Sequence, residues 1–439
     1  MGNHFLDGNF APVEREYTST RLTVTGQLPE YLDGRYLRNG PNAEHPDPET
    51  HHWFLGRGMV HGVRLRDGRA EWYRSRRVGT PEGGANTNVI GHAGRTIALV
   101  EGGQPQWELS EELDTLGVCD FGGTLPGGGY TAHPKRDPRT GELHAVSYVF
   151  GMGNQVQYSV IGVDGRARRT VDVEVTGAPM MHDFSLTERY VVFYDLPVTF
   201  DPNQVPGPVD VPDPLTARTG RGASALPYRW NPDYPARVGV MPREGDNSDV
   251  RWFDIGQCYV FHPLNAYDDG DQIVLDVVRH PKMFDRALHG PAEGEPTLDR
   301  WTVDLALGKV VEERLDDHGQ EFPRVDERLV GLRHRYGYST AIDDRSQSTG
   351  AVYKHDLRNG STEARRFGAG REPGEFVFVP SRMDAGEDEG VLMGYVYDAA
   401  EARSDLVVLD AGTLETVAAV HLPDRVPHGF HGNWVPAEA

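Results

Sequence analysis

Apolar and polar residues alternate along short stretches of this chain, and two-residue turn signals stand between the stretches. Val63-Arg64-Leu65 is followed by Asp67-Gly68 and then by Ala70-Glu71-Trp72-Tyr73. Alternation with a period of two is typical of a strand with one buried face, and Asp-Gly favours a tight hairpin turn. The pattern therefore predicts an antiparallel hairpin over residues 63–73.

The same pattern recurs along the rest of the chain. Short β-branched or aromatic runs, such as residues 191–194 and 273–275, accompany further turn signals. These signals are Asp164-Gly165, Asp269-Gly270, Asn359-Gly360 and Ala411-Gly412. No composition break or long linker divides the sequence, so we predict one all-β domain over residues 1–439, built from repeated antiparallel units. A β-propeller is the most economical arrangement of such units.

Two segments depart from the strand pattern. Residues 109–116 place leucines at helical spacing around Ser110, a favourable N-cap residue, and predict a short helix of about two turns. Residues 201–226 are rich in Pro and Gly and carry no periodicity, which predicts a long loop.

Composition supports short strands and restricts the possible partners. The 439 residues include 52 Gly and 31 Pro, a high share of turn formers that disfavours long helices. The formal net charge of −22 argues against nucleic acid or an anionic bilayer as the main partner. The longest apolar run, residues 190–194, is far shorter than the ~20 residues of a spanning helix. Cys119 and Cys258 are too few for a disulfide framework, so a cytoplasmic location is expected.

Histidine carries the candidate chemistry. Four of the 18 histidines stand in distinctive contexts. These contexts are Ala132-His133-Pro134, Met181-His182-Asp183, Phe261-His262-Pro263 and Phe430-His431-Gly432. The four lie too far apart for a local finger or helix motif, so a shared site requires a closed fold that brings distant strands to one axis. Four imidazoles suit a borderline divalent metal such as Fe, Zn, Cu or Ni, and the residues alone do not choose among them.

These contexts resemble those of the carotenoid cleavage oxygenase family. The likeness also covers residues 36–42, 58–62 and 321–324, and it runs in the same order from Asn9 to Trp434. It implies a seven-bladed β-propeller with loops and short helices capping the active-site face. It further implies one Fe(II) per chain at the axial end, bound by His133, His182, His262 and His431.

The resemblance also implies three glutamates that hold the outer nitrogens of the iron-bound imidazoles. Glu101, Glu321 and Glu375 fall at the matching positions. Such partners fix the tautomer of a histidine ligand and raise its basicity. Near the C-terminus the family pattern places the ligand between Phe and Gly, which favours His431 over His428. The nearby histidines that match no ligand position, and are expected to be structural, are His51, His52, His61 and His144.

Four histidines on an octahedral ion leave two positions open, as oxygen activation requires. In part of the family a threonine methyl leans toward one of these positions. Thr87, in Asn86-Thr87-Asn88, occupies the matching place. We therefore expect Thr87 to gate an open iron position, although an ordinary strand threonine fits the sequence equally well.

The implied reaction is cleavage of a carbon–carbon double bond by O₂ to give two carbonyl products. The family acts on isoprenoid polyenes or on hydroxylated aryl alkenes, and the latter are recognised by a Tyr and by a Lys just before the first glutamate. Here that position is Val100, which favours a carotenoid or apocarotenoid over a stilbene or phenylpropenoid. Two further hypotheses are an isomerase that consumes no O₂ and a propeller that serves only as a protein-interaction platform.

The substrate is expected in an apolar tunnel that holds one double bond beside the iron. Candidate wall residues are Trp53, Phe54, Phe261, Tyr267 and Phe430, although aromatics in β cores are more often packing residues. Residues 200–240 match the region with which carotenoid enzymes often contact membranes. They are mostly Pro, Gly, Asp and Arg, so we expect at most weak membrane contact.

Overall fold

Hairpins follow one another along the chain, as the alternating pattern predicts. The computed structural model describes residues 2–81, 83–126, 129–149, 153–202 and 226–437. Asp67 and Gly68 connect the antiparallel strands Arg57–Arg66 and Arg69–Arg77, and both have positive φ, 50° and 67°. Two successive positive φ values twist the hairpin in the sense that strands prefer, which is why Asp-Gly is a strong signal there.

The strands of the described ranges are numbered in chain order. The first are β1 (Tyr17–Ser19), β2 (Thr23–Gly26), β3 (Gly34–Asn42), β4 (Arg57–Arg66), β5 (Arg69–Arg77), β6 (Asn88–His92), β7 (Arg95–Leu99), β8 (Gln106–Leu109), β9 (Thr115–Cys119), β10 (Lys135–Arg136), β11 (Leu143–Ser147), β12 (Gln155–Ile161) and β13 (Ala167–Glu174). Next come β14 (Ser185–Leu186), β15 (Tyr190–Asp195), β16 (Val198–Phe200), β17 (Tyr228–Trp230), β18 (Arg237–Pro242), β19 (Arg251–Asp254), β20 (Pro263–Asp269), β21 (Gln272–Arg279), β22 (Thr297–Asp304) and β23 (Lys309–Asp316). The last are β24 (Gln320–Arg324), β25 (Tyr336–Ile342), β26 (Ser348–Asp356), β27 (Ser361–Arg366), β28 (Arg371–Pro373), β29 (Val377–Pro380), β30 (Gly390–Asp398), β31 (Arg403–Asp410), β32 (Thr416–His421) and β33 (Gly432–Pro436).

Seven antiparallel sheets form the blades of a β-propeller, which confirms the predicted fold. Four blades follow the chain directly or nearly so: β6 to β9, β10 to β13, β20 to β23 and β24 to β27. A fifth has the order β14-β15-β18-β19, and β16 and β17 form a separate ribbon. The remaining two blades mix both ends of the chain, because β33 pairs with β3 and β2 pairs with β32. These two pairings close the ring.

Burial along each strand reflects its place in a blade. Middle strands such as β31 are buried at nearly every position, because each blade packs between two others. The outer strand β23 is largely exposed. Large side chains fill the space between blades, and Tyr36, Tyr158 and Trp301 are fully buried. Each fully buried apolar side chain contributes about 1.5–3 kcal/mol, so the packing between blades stabilises the ring and fixes the strand ends that face its axis.

The predicted helix over residues 109–116 is wrong. Residues 110–114 form a tight turn between β8 and β9, and Leu113 has a φ of 71°. The Ser110 hydroxyl accepts a hydrogen bond from the Asp114 backbone N–H at 3.0 Å, so the residue caps a turn instead of a helix. Leu109 and Leu113 are buried whereas Leu116 is 63% exposed, so the leucines do not form one helical face.

The helices of the described residues are short and of the 3₁₀ type. They are His4–Leu6, Gly8–Phe10, Phe121–Gly123, Asn247–Asp249 and Glu327–Leu329. Within the described ranges, no helix has the length and apolar character that crossing a membrane requires. The predicted long loop over residues 201–226 lies outside the described residues except for its first two positions and its last.

Candidate metal centre

Each of these four histidines stands just before a strand of a propeller blade. His133 precedes β10, His182 precedes β14, His262 precedes β20 and His431 precedes β33. Each of these strands lies at one edge of its sheet. Because the histidine rings meet, these edges are the ones that face the propeller axis. The repeated blade structure therefore places four distant residues in equivalent positions around one point.

The four imidazoles form one compact cluster. One nitrogen from each of His133, His182, His262 and His431 lies within 4.8 Å of the others. The Nε2 atoms of His182 and His262 are 3.2 Å apart. The Nε2 atom of His133 is buried and has no hydrogen-bond partner within the described residues. An orphaned buried nitrogen among three other imidazoles fits a site for a metal ion.

The distances in the cluster also suit a metal. Two nitrogens bound to one ion at ~2.1 Å and at a right angle lie ~3 Å apart, close to the 3.2 Å between His182 and His262. The four side chains are only 5–9% exposed. Neutral imidazoles without thiolate or carboxylate in the inner set suit borderline divalent cations such as Fe, Zn, Cu and Ni.

Three glutamates hold the outer nitrogens of three of these rings, as the resemblance implies. His182 Nδ1 lies 2.8 and 2.9 Å from the two carboxylate oxygens of Glu101. His262 Nδ1 lies 2.6 Å from Oε2 of Glu321, and His431 Nδ1 lies 2.9 Å from Oε1 of Glu375. Since an ionised carboxylate only accepts hydrogen bonds, each Nδ1 carries the proton and each Nε2 is free to bind a metal.

The fourth ring, His133, is held differently. Its Nδ1 lies 3.8 Å from Oδ2 of Asp183, and that oxygen accepts a hydrogen bond from Lys135 Nζ at 2.8 Å. The Asp183 carboxylate is thus engaged by an ammonium group and is too distant to bond to the imidazole. The four rings therefore have unequal surroundings.

This inequality appears in the pKa values of the rings. Burial disfavours protonation of His182, but the carboxylates of Glu101, Asp183 and Glu321, with Glu101 the strongest, together outweigh burial and raise the His182 pKa above its ordinary value. For His262, burial outweighs Glu321 and lowers the pKa to about 4. Burial and the neighbouring imidazoles lower the His133 pKa well below its usual range. His182 is therefore more readily protonated than His262 or His133.

Local backbone features place Glu321 and Glu375. The pairing of β24 with β25 shifts register after Glu321, and Phe322 adopts a φ of 55°, so the chain bulges beside the cluster. Glu375, just before β29, accepts from the Gly432 backbone N–H at 2.7 Å and from Arg324 at 3.4 Å. Burial alone would raise the Glu375 pKa, but Arg324 and His431 lower it to about 2, so this glutamate is ionised.

One cavity next to the cluster is lined mostly by apolar and aromatic side chains. Four of the predicted wall residues line it, namely Trp53, Phe54, Phe261 and Phe430, and Phe322 joins them. His182, His262 and His431 reach the same cavity. The fifth prediction, Tyr267, is wrong, because that ring lies in β20 against His334 and Arg333.

Thr87 and Val100 also line this cavity. Thr87 lies just before β6, and its backbone carbonyl accepts a hydrogen bond from the His431 N–H at 3.1 Å. Its hydroxyl donates to Oδ1 of Asn86 at 3.0 Å, which fixes the rotation of the side chain. The position agrees with a gate at the cluster, and the gating role stays a prediction.

A second, polar cavity of about 940 Å³ reaches the cluster. His133, His262 and His431 line it together with charged side chains such as Lys135 and Arg324. The imidazoles therefore lie between a polar space and an apolar one.

The remaining histidines lie outside the cluster. His428 Nε2 pairs with Glu372 Oε2 at 2.7 Å, and its ring contacts Phe10, so it is not one of the four. His61 and His144 bond to the hydroxyls of Tyr73 and Tyr158. His52 Nδ1 accepts from the Phe54 N–H, and the His51 carbonyl accepts from Asn3. These contacts agree with structural roles.

No motif of the sequence points to His280. This buried histidine lines the apolar cavity, and its Nε2 lies 2.9 Å from Oε1 of Glu321. It stands at the end of β21, in no motif that suggested a site, so only its position in space reveals the contact.

Comparison with known proteins relates nearly the whole chain to one protein family. A family model described as "Retinal pigment epithelial membrane protein" matches residues 10–436. A carotenoid cleavage oxygenase of Mycobacterium tuberculosis is 54% identical, over 99% of this chain and 98% of the relative. The carotenoid 9,10(9',10')-cleavage dioxygenase 1 of Arabidopsis thaliana is 32% identical, over 99% of this chain and 90% of the relative.

Solved structures with the same fold superpose on nearly the whole chain. The lignostilbene dioxygenase of Pseudomonas brassicacearum superposes with a TM-score of 0.87 at 28% identity, covering 99% of this chain and 98% of the other. A cobalt-substituted Synechocystis ACO superposes with a TM-score of 0.84 at 26% identity, covering 97% of each chain.

Proposed function

Because the chain belongs to the carotenoid cleavage oxygenase family, we propose that it uses ferrous iron and O₂ to cleave a carbon–carbon double bond of an apolar polyene. The substrate class is a carotenoid or apocarotenoid, and the products are two carbonyl compounds, with one oxygen atom entering each. The observation that carries this proposal is the cluster of four buried imidazoles at the wall of an apolar cavity.

His133, His182, His262 and His431 would hold the iron, one ion per chain. Ferrous iron, when bound, supplies the activation of O₂. Glu101, Glu321 and Glu375 orient three of the imidazoles and bring the charge of the occupied site near −1, which makes a buried divalent cation tolerable.

The protein positions the alkene and excludes water. Phe54 packs edge to face against both Phe261 and Phe430. The ring centroids are 5.7 Å apart for Phe54 and Phe261 and 5.4 Å apart for Phe54 and Phe430. A wall of this kind binds a polyene through apolar contact and offers it few polar groups. Regiochemistry then depends on which double bond the wall holds beside the histidines.

Val100 supports a polyene over a phenolic alkene. Its side chain is buried in the cavity wall, immediately before Glu101. A buried phenolate without a lysine partner at this position would be costly. Cleavage of a stilbene or phenylpropenoid is the second candidate, and the superposition on a lignostilbene dioxygenase is the observation that favours it.

Oxygen uptake separates these functions. Iron-loaded protein is incubated separately with apocarotenals, resveratrol and isoeugenol, while an electrode follows O₂ and chromatography follows aldehyde products. We expect uptake and two carbonyl products with apocarotenals, and none with the His262→Ala variant. Cleavage of resveratrol or isoeugenol alone would establish the second candidate. Conversion of a polyene without O₂ uptake would indicate an isomerase, and failure to bind metal or turn over any alkene would indicate an interaction platform.

A further inference from the structure

Two imidazoles share the carboxylate of Glu321. Oε2 lies 2.6 Å from Nδ1 of His262, and Oε1 lies 2.9 Å from Nε2 of His280. The Phe322 backbone N–H also donates to Oε2. All three side chains that form this chain of contacts, His262, Glu321 and His280, are buried. The carboxylate is therefore held at both oxygens.

The backbone fixes His280 beside His262. The His280 N–H donates to the Tyr259 carbonyl at 2.8 Å, and the Tyr259 N–H donates back to the His280 carbonyl at 2.9 Å. The Val278 N–H donates to the His262 carbonyl at 3.0 Å. The His280 ring also packs edge-on against Phe261, with centroids 5.2 Å apart at 89°. His280 is thus a rigid donor, whose orientation does not depend on a flexible loop.

Glu375 is also held by donors besides its histidine partner. One of its oxygens faces His431, and Arg324 and the Gly432 N–H hold the carboxylate from other sides. A glutamate carboxylate that is hydrogen-bonded at only one oxygen can rotate about χ3, a torsion with a broad energy profile. A second donor removes that freedom. His280 is placed to do for Glu321 what Arg324 and Gly432 do for Glu375.

We propose that His280 is a positioning residue of the metal centre, which donates Nε2–H to Glu321 Oε1 and thereby keeps Oε2 on the Nδ1–H of His262. This role rests on the proposed metal-dependent function. Groups bonded directly to a ligating histidine, as Glu321 is to His262, typically change metal affinity by about 10- to 100-fold when removed, and His280 acts through such a group. His280 also lines the apolar cavity, so one end of the chain of residues that orients His262 lies at the cavity wall.

The test uses the full-length protein loaded with Co²⁺ or Fe²⁺. Three variants are compared with the parent: His280→Ala removes the donor, His280→Gln keeps an amide N–H near the position of Nε2, and His144→Ala is the matched control. His144 is likewise buried and hydrogen-bonded, to Tyr158, but lies outside the cluster. The readouts are the metal dissociation constant from chelator competition, the visible spectrum of the cobalt form and the melting temperature.

We expect His280→Ala to weaken metal binding by about 10-fold, the lower end of the range for direct partners of a ligand, and to change the cobalt spectrum, and His280→Gln to restore most of both. His144→Ala should lower the melting temperature and leave the metal constant and spectrum unchanged. Parent-like affinity and spectrum in a folded His280→Ala protein would overturn the proposal. Equal metal loss in His144→Ala, or no rescue by His280→Gln, would also overturn it, because His280 would then act only through general stability.

Failure of the proposed function gives a different result. If the parent binds metal with an affinity that depends on His280 but consumes no O₂ with any alkene, the catalytic proposal fails and the positioning role stands. A parent that binds no metal at all overturns both.

Discussion

Nδ1 of His182 lies 2.8 Å from Oε2 and 2.9 Å from Oε1 of Glu101, although 81 positions separate the two residues in sequence. This contact is charge-assisted, mostly buried and directed at a ring whose other nitrogen faces the cluster centre. We expect Glu101→Gln, which preserves shape but removes the charge, to raise the metal dissociation constant by about 10- to 100-fold. Chelator competition measures the change.

The control for this prediction is Glu372→Gln. Glu372 pairs with His428 at 2.7 Å, a similar carboxylate–imidazole contact outside the four-histidine cluster. Metal affinity should be unchanged in Glu372→Gln. Equal affinity in the Glu101→Gln protein and the parent would show that the carboxylate does not tune the site.

Removing a ring of the cluster should remove the metal. We expect His182→Ala and His262→Ala to retain far less than the one iron per chain expected of the parent, because three remaining imidazoles leave an open, weaker site. Anaerobic loading with ferrous salt, desalting and elemental analysis give the stoichiometry. His428→Ala should load like the parent, and retention of iron by both cluster variants would contradict the site.

Metal affinity should fall in mild acid, beginning with His182. Burial opposes protonation of this ring, but the nearby carboxylates, Glu101 foremost, together outweigh it, so the His182 pKa lies above the ordinary 6.5, whereas that of His262 is about 4. A metal binds only the unprotonated ring, so protons compete with it as the pH falls through the raised pKa. As the pH is lowered, we expect the metal affinity to begin falling while the pH is still above 6.5.

The Glu101→Gln variant checks this assignment. Loss of the carboxylate removes the strongest of the negative charges that raise the His182 pKa, so the fall in affinity should move to lower pH. A profile of metal affinity between pH 5 and pH 8 in both proteins tests the shift. An identical pH dependence in both would assign the titration to another group.

Thr87 should influence what binds beside the metal without affecting the metal itself. If its methyl group narrows an open position, Thr87→Ser, which loses only the methyl, should bind nitric oxide more tightly than the parent. Thr87→Val keeps a methyl and loses the hydroxyl bond to Asn86, and should behave like the parent. Nitric oxide titration of the ferrous protein, followed by electron paramagnetic resonance, distinguishes them. Equal nitric oxide affinity in the parent and in both variants would contradict the gating role.

Local sequence patterns predicted the strands, because the period of two and the Asp-Gly turns act over a few residues. Asp67 and Gly68 form the predicted turn. The helix prediction over residues 109–116 failed for the same local reason, since leucines at helical spacing also fit a turn in which Leu109 and Leu113 join one cluster while Leu116 is exposed. The aromatic wall was predicted in part, and Tyr267 failed because composition does not tell which aromatic rings the fold brings to the cavity and which it packs elsewhere.

The sequence by itself determined the alternating strands and the all-β class and, through motif resemblance, pointed to the four histidines and three glutamates. Only the tertiary structure decided that the rings meet, that their environments are unequal and that His280 shares Glu321 with His262. The physical reason is distance along the chain. Hydrogen bonds and charge interactions act over a few ångströms in space, and here they join residues tens to hundreds of positions apart, which are neighbours only once the ring of blades has closed.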